Sequence, residues 1–280
     1  MVSCTASSTL KKLEITHLKT ITSTENPQYR QLIQLQQSSR ARKKLQLYVC
    51  EGSSLVQALA DSQCQIDQIW IGVDQSTTTE TASTQIKQAL ASLNLDSAVN
   101  AYLISPQMLQ KASSLDQTTG PIAVFRVPSV LSQPGDLLVL DQIQDPGNLG
   151  TIMRSAAAAG VFNLHLSKGC VSAWSPKSLR AGMGAQFSLN ICEQVDFDQL
   201  IPTTGFQVFS ASSHAKCSIY DTDLREPICW VFGNEGNGVS EQILKETVPL
   251  KIPQPGGQES LNVSVAASIC LFEMCRQRRT

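Results

Sequence analysis

The sequence lacks any long apolar stretch. None of its runs approaches the roughly 18 apolar residues that a membrane-spanning helix requires, although 42% of its 280 residues are hydrophobic. Its first residues, MVSCTASSTLKK, contain no hydrophobic core of the kind found in secretory signals. We therefore expect a cytoplasmic protein without a membrane partner, with enough apolar residues for one large domain or two modest ones.

Paired cysteines and metal-binding patterns are also scarce. The nine cysteines are odd in number, no two of them form a Cys-x-x-Cys pair, and several lie within apolar runs. This distribution is typical of free thiols buried in a reducing compartment. His214 and Cys217 have the spacing of half a zinc site, but no second pair accompanies them. We expect no metal cofactor.

The charge of the chain is nearly balanced, at −1, but it is unevenly distributed. Residues 1–51 carry eight Lys or Arg and three Glu. A basic end of this kind is typical either of a nucleic-acid contact or of a solvated helix face, and composition alone leaves both open. The candidate RNA-binding residues within it are Arg30, Arg40, Arg42, Lys43 and Lys44.

Strand and helix signals alternate through residues 45–127 and predict a small α/β domain. A basic helix is predicted ahead of it at residues 26–44, and a further helix within it near residues 84–93. The segment PSVLSQPGD has the composition of a linker, and the same alternation restarts after it at the strand LLVLD. The predicted organisation is an N-terminal α/β domain at 1–127, a linker at 128–136 and a second α/β domain at 137–280.

Three polar or glycine-rich segments follow predicted strands, the position at which open α/β sheets bind ligands. In the first, DPGNLGTIMRSAAAAG, Asn148 is predicted to cap a helix that starts at about Leu149. Gly150 and Arg154 are four residues apart and share a helix face, where Gly150 is expected to leave space beside the arginine. The guanidinium can then bind a phosphate through two hydrogen bonds, although an ordinary capped helix with a surface arginine gives the same pattern.

The second segment, FGNEGNG, places Glu235 among three glycines directly after a strand. Glycines allow a close approach of the backbone to a ligand. Their spacing matches neither a P-loop nor the dinucleotide fingerprint. The alternative is a flexible turn before a helix that Ser240 caps.

The third segment, QESLNVS, stands at the start of a predicted apolar helix. Capping a helix requires one polar residue, whereas Ser260, Asn262 and Ser264 supply three. The additional hydroxyl and amide groups can face a ligand. We expect all three segments to converge on one site.

The helix that follows, at residues 262–276, is apolar on much of its circumference. Val265, Ile269 and Phe272 lie on one side of it, and Cys270 and Met274 on another. One face can pack against the core and the other against a second copy of the chain. We therefore predict a homodimer through the C-terminal domain.

The three segments resemble the motifs of a known enzyme family. Residues 139–280 resemble the SpoU/TrmH branch of the SPOUT RNA methyltransferases, through NLGTIMRSAAAAGV, WVFGNEGNGVS and IPQPGGQESLNVSVAASICLFE. The intervening SPKSLRAGMGAQF is similar too, with Gly182 where the family more often has Ser. Residues 23–124 resemble the accessory RNA-binding domain of the ribosomal-RNA members, through NPQYRQLIQLQ, EGSSLVQAL and TTGPIAVF.

This resemblance implies an α/β fold whose C-terminal parallel-sheet domain carries a trefoil knot and binds S-adenosylmethionine. The family's cofactor positions are occupied by Gly233, Ile252 and Leu261. Its catalytic and substrate positions are occupied by Asn148, Arg154, Glu235, Ser260 and Asn262. It also implies that the apolar side chains of Val263, Val265 and Ile269 pack inward.

The implied reaction is 2′-O-ribose methylation of RNA, with 23S-type ribosomal RNA as the substrate and transfer RNA as the alternative. Two other classes are a catalytically silent RNA-binding member, which the intact motifs disfavour, and an enzyme for another nucleotide, which the missing phosphate-binding signatures disfavour. The family proposal makes the arginine at the position of Arg154 the base, but an arginine side chain resists deprotonation. Arg154 is expected to bind a phosphate, orient the ribose and stabilise negative charge, and the identity of the base stays open.

Overall fold

The computed structural model describes residues 17–74, 99–117, 120–127, 134–200 and 205–279. The chain divides into two compact units, Met1–Pro128 and Ser129–Thr280. The predicted helix near 84–93 lies outside the described residues, as does most of the predicted linker, of which only 134–136 is described. In the described parts of the chain, no helix is both long and apolar enough to cross a membrane.

The first unit is built on a mixed five-stranded sheet. Its strands are β1 His17–Thr20, β2 Tyr48–Glu51, β3 Gln65–Gly72, β4 Asn100–Ile104 and β5 Ile122–Arg126. The spatial order is β1-β4-β3-β5-β2, with β1, β4 and β3 parallel and β5 antiparallel to both of its neighbours. Its described helices are α1 Pro27–Gln37, α2 Ser39–Leu45, α3 Ser53–Ala60 and α4 Pro106–Ala112.

Aromatic side chains fill the core of the first unit. Trp70 on β3 stacks on Tyr102 of β4 with ring centroids 4.3 Å apart, and both residues are buried. The hydroxyl of Tyr29 donates a hydrogen bond to the carbonyl of Met108 at 2.8 Å, which ties α1 to α4. Ser105 caps α4, because its side chain accepts a hydrogen bond from the backbone N–H of Met108.

The basic segment forms two helices and not the single helix predicted for 26–44. Ser38 between them is extended, and its side chain caps α2 by accepting from the backbone N–H of Ala41. Arg42 is only 7% exposed, and its Nη1 donates to the carbonyls of Leu35 and Gln36 in the last turn of α1. Arg42 therefore satisfies carbonyls that the helix end leaves without partners. The expectation that it contacts RNA phosphate is wrong.

The second unit is built on a seven-stranded sheet. Its strands are β6 Leu137–Leu140, β7 Asn163–Ser167, β8 Asn190–Val195, β9 Gln207–Ala211, β10 Cys217–Ser218, β11 Ile228–Phe232 and β12 Val248–Lys251. The spatial order is β10-β12-β9-β11-β6-β7-β8, and every neighbouring pair is parallel. Its described helices are α5 Pro146–Ala159, α6 Pro176–Gly182, α7 Phe197–Leu200, α8 Glu241–Lys245 and α9 Val263–Arg278, with 3-10 turns at Ala185–Ser188 and Ile219–Asp221.

The parallel arrangement follows from the continuous apolar runs of the central strands. Every residue of β6 and of β11 is buried, as expected for strands covered on both faces. These two strands are neighbours in the sheet, although most of the domain lies between them in sequence. From β6 the chain continues to β7 and β8 on one side, whereas β9 and β12 lie on the other. The carboxyl ends of β6 and β11 therefore mark the switch point, where α/β proteins bind ligands.

The C-terminal helix α9 buries one face in the second unit. Ala267, Cys270, Leu271 and Met274 are at most 1% exposed. Val265 lies on the opposite side and is 47% exposed, so the expectation that it packs inward is wrong. The end of α9 is fixed to the start of β6, because Arg278 donates two hydrogen bonds to the carboxylate of Asp136. Passage of this C-terminal segment through a loop, as a knot, stays a prediction.

Candidate active site

Glu235 joins the first two motifs at the switch point. Its carboxylate accepts hydrogen bonds from the backbone N–H groups of Gln144 at 3.3 Å and Asp145 at 3.2 Å, and from Nδ2 of Asn148 at 3.1 Å. Partial burial alone would raise the pKa of Glu235, but hydrogen bonds from Asn148 and from nearby backbone N–H groups lower it below its usual range. Glu235 is therefore ionised at neutral pH.

Asn262 joins the third motif to the same site. Its Nδ2 donates to Oδ1 of Asn148 at 2.9 Å. Its own Oδ1 accepts from the backbone N–H of Ser264 at 2.8 Å and from the hydroxyl of that residue at 2.6 Å. Asn262 is thus both the N-cap of α9 and a direct partner of the first motif.

These contacts form one chain of hydrogen bonds, from the first turn of α9 through Asn262 and Asn148 to Glu235, which we call the amide relay. An ionised carboxylate can only accept, so Asn148 must turn its amide nitrogen towards Glu235. The oxygen of Asn148 then faces Asn262, and the oxygen of Asn262 faces the N–H groups of the helix. The orientation of each amide fixes that of the next, so every hydrogen bond in the relay is donated in the direction of Glu235.

The helix of the first motif begins earlier than predicted, and Asn148 is not its cap. Asp145 is the N-cap of α5, and its Oδ1 accepts from the backbone N–H of Asn148 at 2.8 Å. Pro146 follows it at the first helical position, for which proline is well suited. Because Asp145 caps the helix, the side chain of Asn148 is available for the amide relay.

Gly150 serves helix packing and does not leave space beside Arg154. A Cβ on Gly150 would lie 2.4 Å from the Cβ of Ala181 and 2.6 Å from the nitrogen of Gly182, so α6 occupies that space. A side chain at 150 would force the two helices apart. The expectation that Gly150 clears space for the arginine is therefore wrong.

Arg154 is exposed one turn further along α5. Its guanidinium forms no hydrogen bond or ion pair with any residue in the described ranges. The helix beneath it is held firmly, because the hydroxyls of Ser155 on α5 and Ser268 on α9 are 2.7 Å apart. The thiol of Cys275 on α9 also donates to the carbonyl of Ala159 at the end of α5. Arg154 is thus an exposed cation on the helix whose first turn carries Asn148.

The glycine-rich second motif is a tight turn and not a loose one. A Cβ on Gly233 would lie 2.1 Å from the backbone of Gly238 and Val239, so only glycine fits under the returning chain. Oδ1 of Asn234 accepts from the backbone N–H groups of Gly236 at 2.9 Å and Asn237 at 3.1 Å. Ser240 lies at the N-cap position of α8, but its side chain makes no capping hydrogen bond there.

The remaining predicted residues lie on the loop between β12 and α9. Ile252 is half-buried, Ser260 is exposed, and Leu261 is 37% exposed. The loop therefore presents apolar surface next to the amide relay, because Leu261 directly precedes Asn262. Flat apolar rings can cover such surface, and this fits an adenosine-containing cofactor.

Two functional residues were missed in the sequence. Asp145 could have been found, because an aspartate directly before a proline is a helix-start signal. Asp141 at the end of β6 is 4% exposed and accepts from the backbone N–H of Ser240 at 3.2 Å, which ties the strand before the first motif to the residues that follow the second. Among the residues described, no group of three or more His, Cys, Asp or Glu is placed to bind a metal ion.

An all-parallel sheet with three polar loops joined at its switch point defines an α/β domain with a ligand site at the carboxyl edge. The model of the SpoU rRNA Methylase family matches residues 136–272 of this chain. A Synechocystis protein named an uncharacterized tRNA/rRNA methyltransferase is 34% identical over 271 residues, which cover 93% of this chain and 95% of the relative. The chain belongs to the SpoU family of RNA methyltransferases, whose cofactor is S-adenosylmethionine.

Two further comparisons agree with this family. A 23S rRNA guanosine-2′-O-methyltransferase of Bacillus subtilis, RlmP, is 29% identical over 185 residues, which cover 65% of this chain and 75% of the relative. The crystal structure of an rRNA methyltransferase from Sinorhizobium meliloti superposes with a TM-score of 0.79 at 25% identity, covering 93% of this chain and 98% of the other. The similarity therefore extends over both units.

Proposed function

We propose that this protein transfers the methyl group of S-adenosylmethionine to a ribose 2′-hydroxyl of 23S-type ribosomal RNA. The observation that carries the proposal is the amide relay, which joins all three motifs at the switch point. The helix that supplies Asn148 to the relay also carries the exposed Arg154. The name of the Bacillus subtilis relative supports both the ribosomal substrate and the 2′-hydroxyl acceptor.

The cofactor site lies at the loop after β12. Ile252 and Leu261 supply apolar surface, and Gly233 supplies backbone groups at the end of β11. When bound, S-adenosylmethionine supplies an electrophilic methyl group activated by its positively charged sulfur. The task of the chain is then to place the RNA hydroxyl in line with that methyl group.

Arg154 is the residue that handles the RNA at the reacting ribose. Its free guanidinium binds the neighbouring phosphate through two hydrogen bonds, which fixes the ribose and offsets negative charge that develops on the attacking oxygen. Ser260, exposed in the same loop as Leu261, contacts the substrate as a hydrogen-bonding group. An arginine resists deprotonation, so Arg154 acts through position and charge.

Glu235, Asn148 and Asn262 position the site. The carboxylate of Glu235 already accepts three hydrogen bonds, and its lowered pKa makes it a weak proton acceptor. The amides of Asn148 and Asn262 are committed to each other. Their contribution is to dock the third motif, with Ser260 and Leu261, against the helix that carries Arg154.

The N-terminal domain at 1–127 binds the RNA, and the segment at 128–136 links it to the methyltransferase domain at 137–280. The reaction uses no metal. Arg40, Lys43 and Lys44 are exposed on α2, and Arg30 is exposed on α1, where it pairs with Glu25. Arg40, Lys43 and Lys44 form no ion pair with a described residue, so their charges are available to RNA phosphates.

The protein acts as a homodimer in the cytoplasm. On α9, Val265 is 47% exposed and Phe272 is 49% exposed, on the side opposite the buried face. Exposed apolar side chains grouped on one helix face are typical of a contact with a second copy. All described cysteines are free thiols, which supports a reducing compartment.

Mapping of 2′-O-methyl groups in RNA tests the substrate. RNA from host cells with and without the gene is compared position by position. One ribosomal ribose should carry the group only when the protein is present. A site in transfer RNA would assign the alternative substrate, and no difference in either RNA would contradict the proposal.

A further inference from the structure

Ser167, at the carboxyl end of β7, holds the backbone turn that follows β6. The residue is buried, and its hydroxyl accepts a hydrogen bond from the N–H of Gln142 at 2.8 Å. The same hydroxyl donates to the carbonyl of Lys168 at 3.2 Å, so both its donor and an acceptor site are used. Ser167 belongs to none of the three motifs, yet it binds the backbone directly ahead of the first one.

Cys170 binds the same turn from three residues further along the chain. Its sulfur accepts from the backbone N–H of Ile143 at 3.3 Å, and its thiol donates to the carbonyl of Leu140 at 3.2 Å. The backbone N–H of Val171 adds a third hydrogen bond, to the carbonyl of Ile143 at 2.8 Å. The loop after β7 therefore binds the turn after β6 through consecutive backbone groups.

The turn depends on such contacts, because Gln142 has a left-handed backbone with a φ of 55°. A residue other than glycine is strained in that region, and the conformation persists only where the surroundings fix it. The carbonyl of Gln142 is fixed from the second motif, since Nδ2 of Asn234 donates to it at 2.9 Å. The N–H of Gln142 is fixed by Ser167.

The conformation of the turn sets the direction of the two N–H groups that follow it. These are the N–H groups of Gln144 and Asp145, which donate to the carboxylate of Glu235 at 3.3 and 3.2 Å. A change of φ and ψ in the turn would rotate both donors away from Glu235. Since Glu235 also accepts from Asn148, the amide relay would lose its fixed end.

We propose that Ser167 and Cys170 are positioning residues for methyl transfer, which hold the turn at 141–143 so that the next two N–H groups meet Glu235. The inference rests on the proposed function for the reaction itself. Both residues act through Glu235 and the amide relay. Their loss should therefore slow the transfer step and leave cofactor affinity unchanged.

The test compares Ser167→Ala with Ser167→Thr in the full chain. Alanine leaves the N–H of Gln142 without its acceptor, whereas threonine keeps a hydroxyl. Single-turnover transfer from labelled S-adenosylmethionine to total RNA of cells lacking the gene should be about 10-fold or more slower for Ser167→Ala. Ser167→Thr should stay within about threefold of wild type, and calorimetry should give cofactor affinities within about twofold for both variants. A wild-type rate in Ser167→Ala, or an equal loss in Ser167→Thr, would overturn the inference.

A double-mutant cycle tests whether Ser167 acts through Glu235. In a chain that already carries Glu235→Ala, the further change Ser167→Ala should slow transfer by less than about twofold, because the relay has already lost its fixed end. Fully additive losses would overturn the inference, since they would give Ser167 a role independent of Glu235.

Ser62→Ala is the matched control in the first unit. The hydroxyl of Ser62 likewise accepts from a backbone N–H, that of Cys64 at 3.1 Å, and donates to a carbonyl, that of Leu59 at 2.6 Å. This variant should transfer at the wild-type rate. Thermal unfolding checks that all variants are folded, and an equal loss of rate in Ser62→Ala would overturn the inference by showing a general effect of lost stability.

Hydrogen exchange separates the hold on the turn from the proposed function. Exchange of the amides at 142–145, measured on the protein alone, should be faster in Ser167→Ala than in wild type. Unchanged exchange would overturn the inference whatever the activity. If wild type transfers no methyl group to total RNA, the proposed function is wrong and the role of Ser167 in that reaction falls with it, even where exchange shows that Ser167 holds the turn.

Discussion

Oδ1 of Asn148 accepts a hydrogen bond from Nδ2 of Asn262 at 2.9 Å, across 114 positions of sequence. The contact links the first turn of α5 to the N-cap of α9. Since Asn148 also donates to Glu235, one asparagine connects the second and third motifs. The geometry of the candidate site therefore depends on side-chain amides whose donor and acceptor ends cannot be exchanged.

Asn148→Asp should disable the site. The change replaces an amide donor by a second carboxylate facing Glu235, and like charges at this distance repel. With the third motif displaced, the single-turnover rate of methyl transfer should fall on the order of 10²-fold. The matched control is Asn26→Asp, because Asn26 caps α1 and uses only its acceptor oxygen, which aspartate retains. A rate within threefold of wild type for Asn148→Asp would contradict the amide relay.

Arg154→Ala should give a folded protein that binds S-adenosylmethionine normally but barely methylates. Removal of one preorganised donor typically lowers the rate on the order of 10²–10³-fold. The Arg154→Lys variant should also transfer the methyl group slowly, because a point charge does not replace the planar guanidinium. Calorimetry and single-turnover transfer on the same preparation measure both properties, and Arg279→Ala, at an exposed arginine beyond α9, is the control. Loss of cofactor binding would show that Arg154 is structural.

Reversing the exposed charges of α2 should weaken RNA binding and leave cofactor binding unchanged. The triple variant Arg40→Glu, Lys43→Glu, Lys44→Glu removes three phosphate contacts, each of which contributes about 0.7–0.9 to the slope of log affinity against log salt. Filter binding at several salt concentrations measures that slope, which should fall by about two or more. Unchanged RNA affinity would show that this face is simply solvated.

Arg42→Ala should behave differently from its neighbours. It removes the donor to the carbonyls of Leu35 and Gln36, so the free energy of unfolding should fall by about 1–3 kcal/mol. Chemical denaturation measures the change. A fully stable Arg42→Ala variant with weakened RNA binding would restore Arg42 to the RNA contacts.

The exposed face of α9 should form the dimer interface. Val265→Asp and Phe272→Asp each place a charge on that face, so either change should dissociate the dimer. Light scattering at micromolar protein concentration measures the mass of the particle in solution and so distinguishes a dimer from a monomer. Met183→Asp is the control, since Met183 is 61% exposed on a different element. A wild-type protein that is monomeric in this measurement would contradict the prediction.

The central strands of the second unit were predictable from sequence, because buried parallel strands are continuous apolar runs. The segments LLVLD and ICWVFG contain β6 and β11, in which every residue is buried. Family membership was also predictable, since the motifs are specific. The convergence of the three motifs followed from the rule that ligands bind at the carboxyl ends of parallel strands.

The error at the cap of α5 was local, but the other errors arise from contacts between residues that are distant in sequence or lie on neighbouring elements. Local pattern gives no sign that α6 fills the space at Gly150. Nor does it show that Arg42 folds back onto the end of α1. The direction of the amide relay depends on pairings across 87 and 114 positions, which residue spacing does not encode.

The most direct test of the central claim uses a substrate that lacks the reacting atom. Mapping first identifies the methylated ribose, and two RNA transcripts are then prepared, one natural and one with a 2′-deoxyribose at that position. Purified protein and labelled S-adenosylmethionine should methylate the natural transcript and leave the deoxy transcript unlabelled, while both transcripts bind with similar affinity. Equal labelling of the two would show that the acceptor is a different atom, and the assignment of 2′-O-ribose methylation would be wrong.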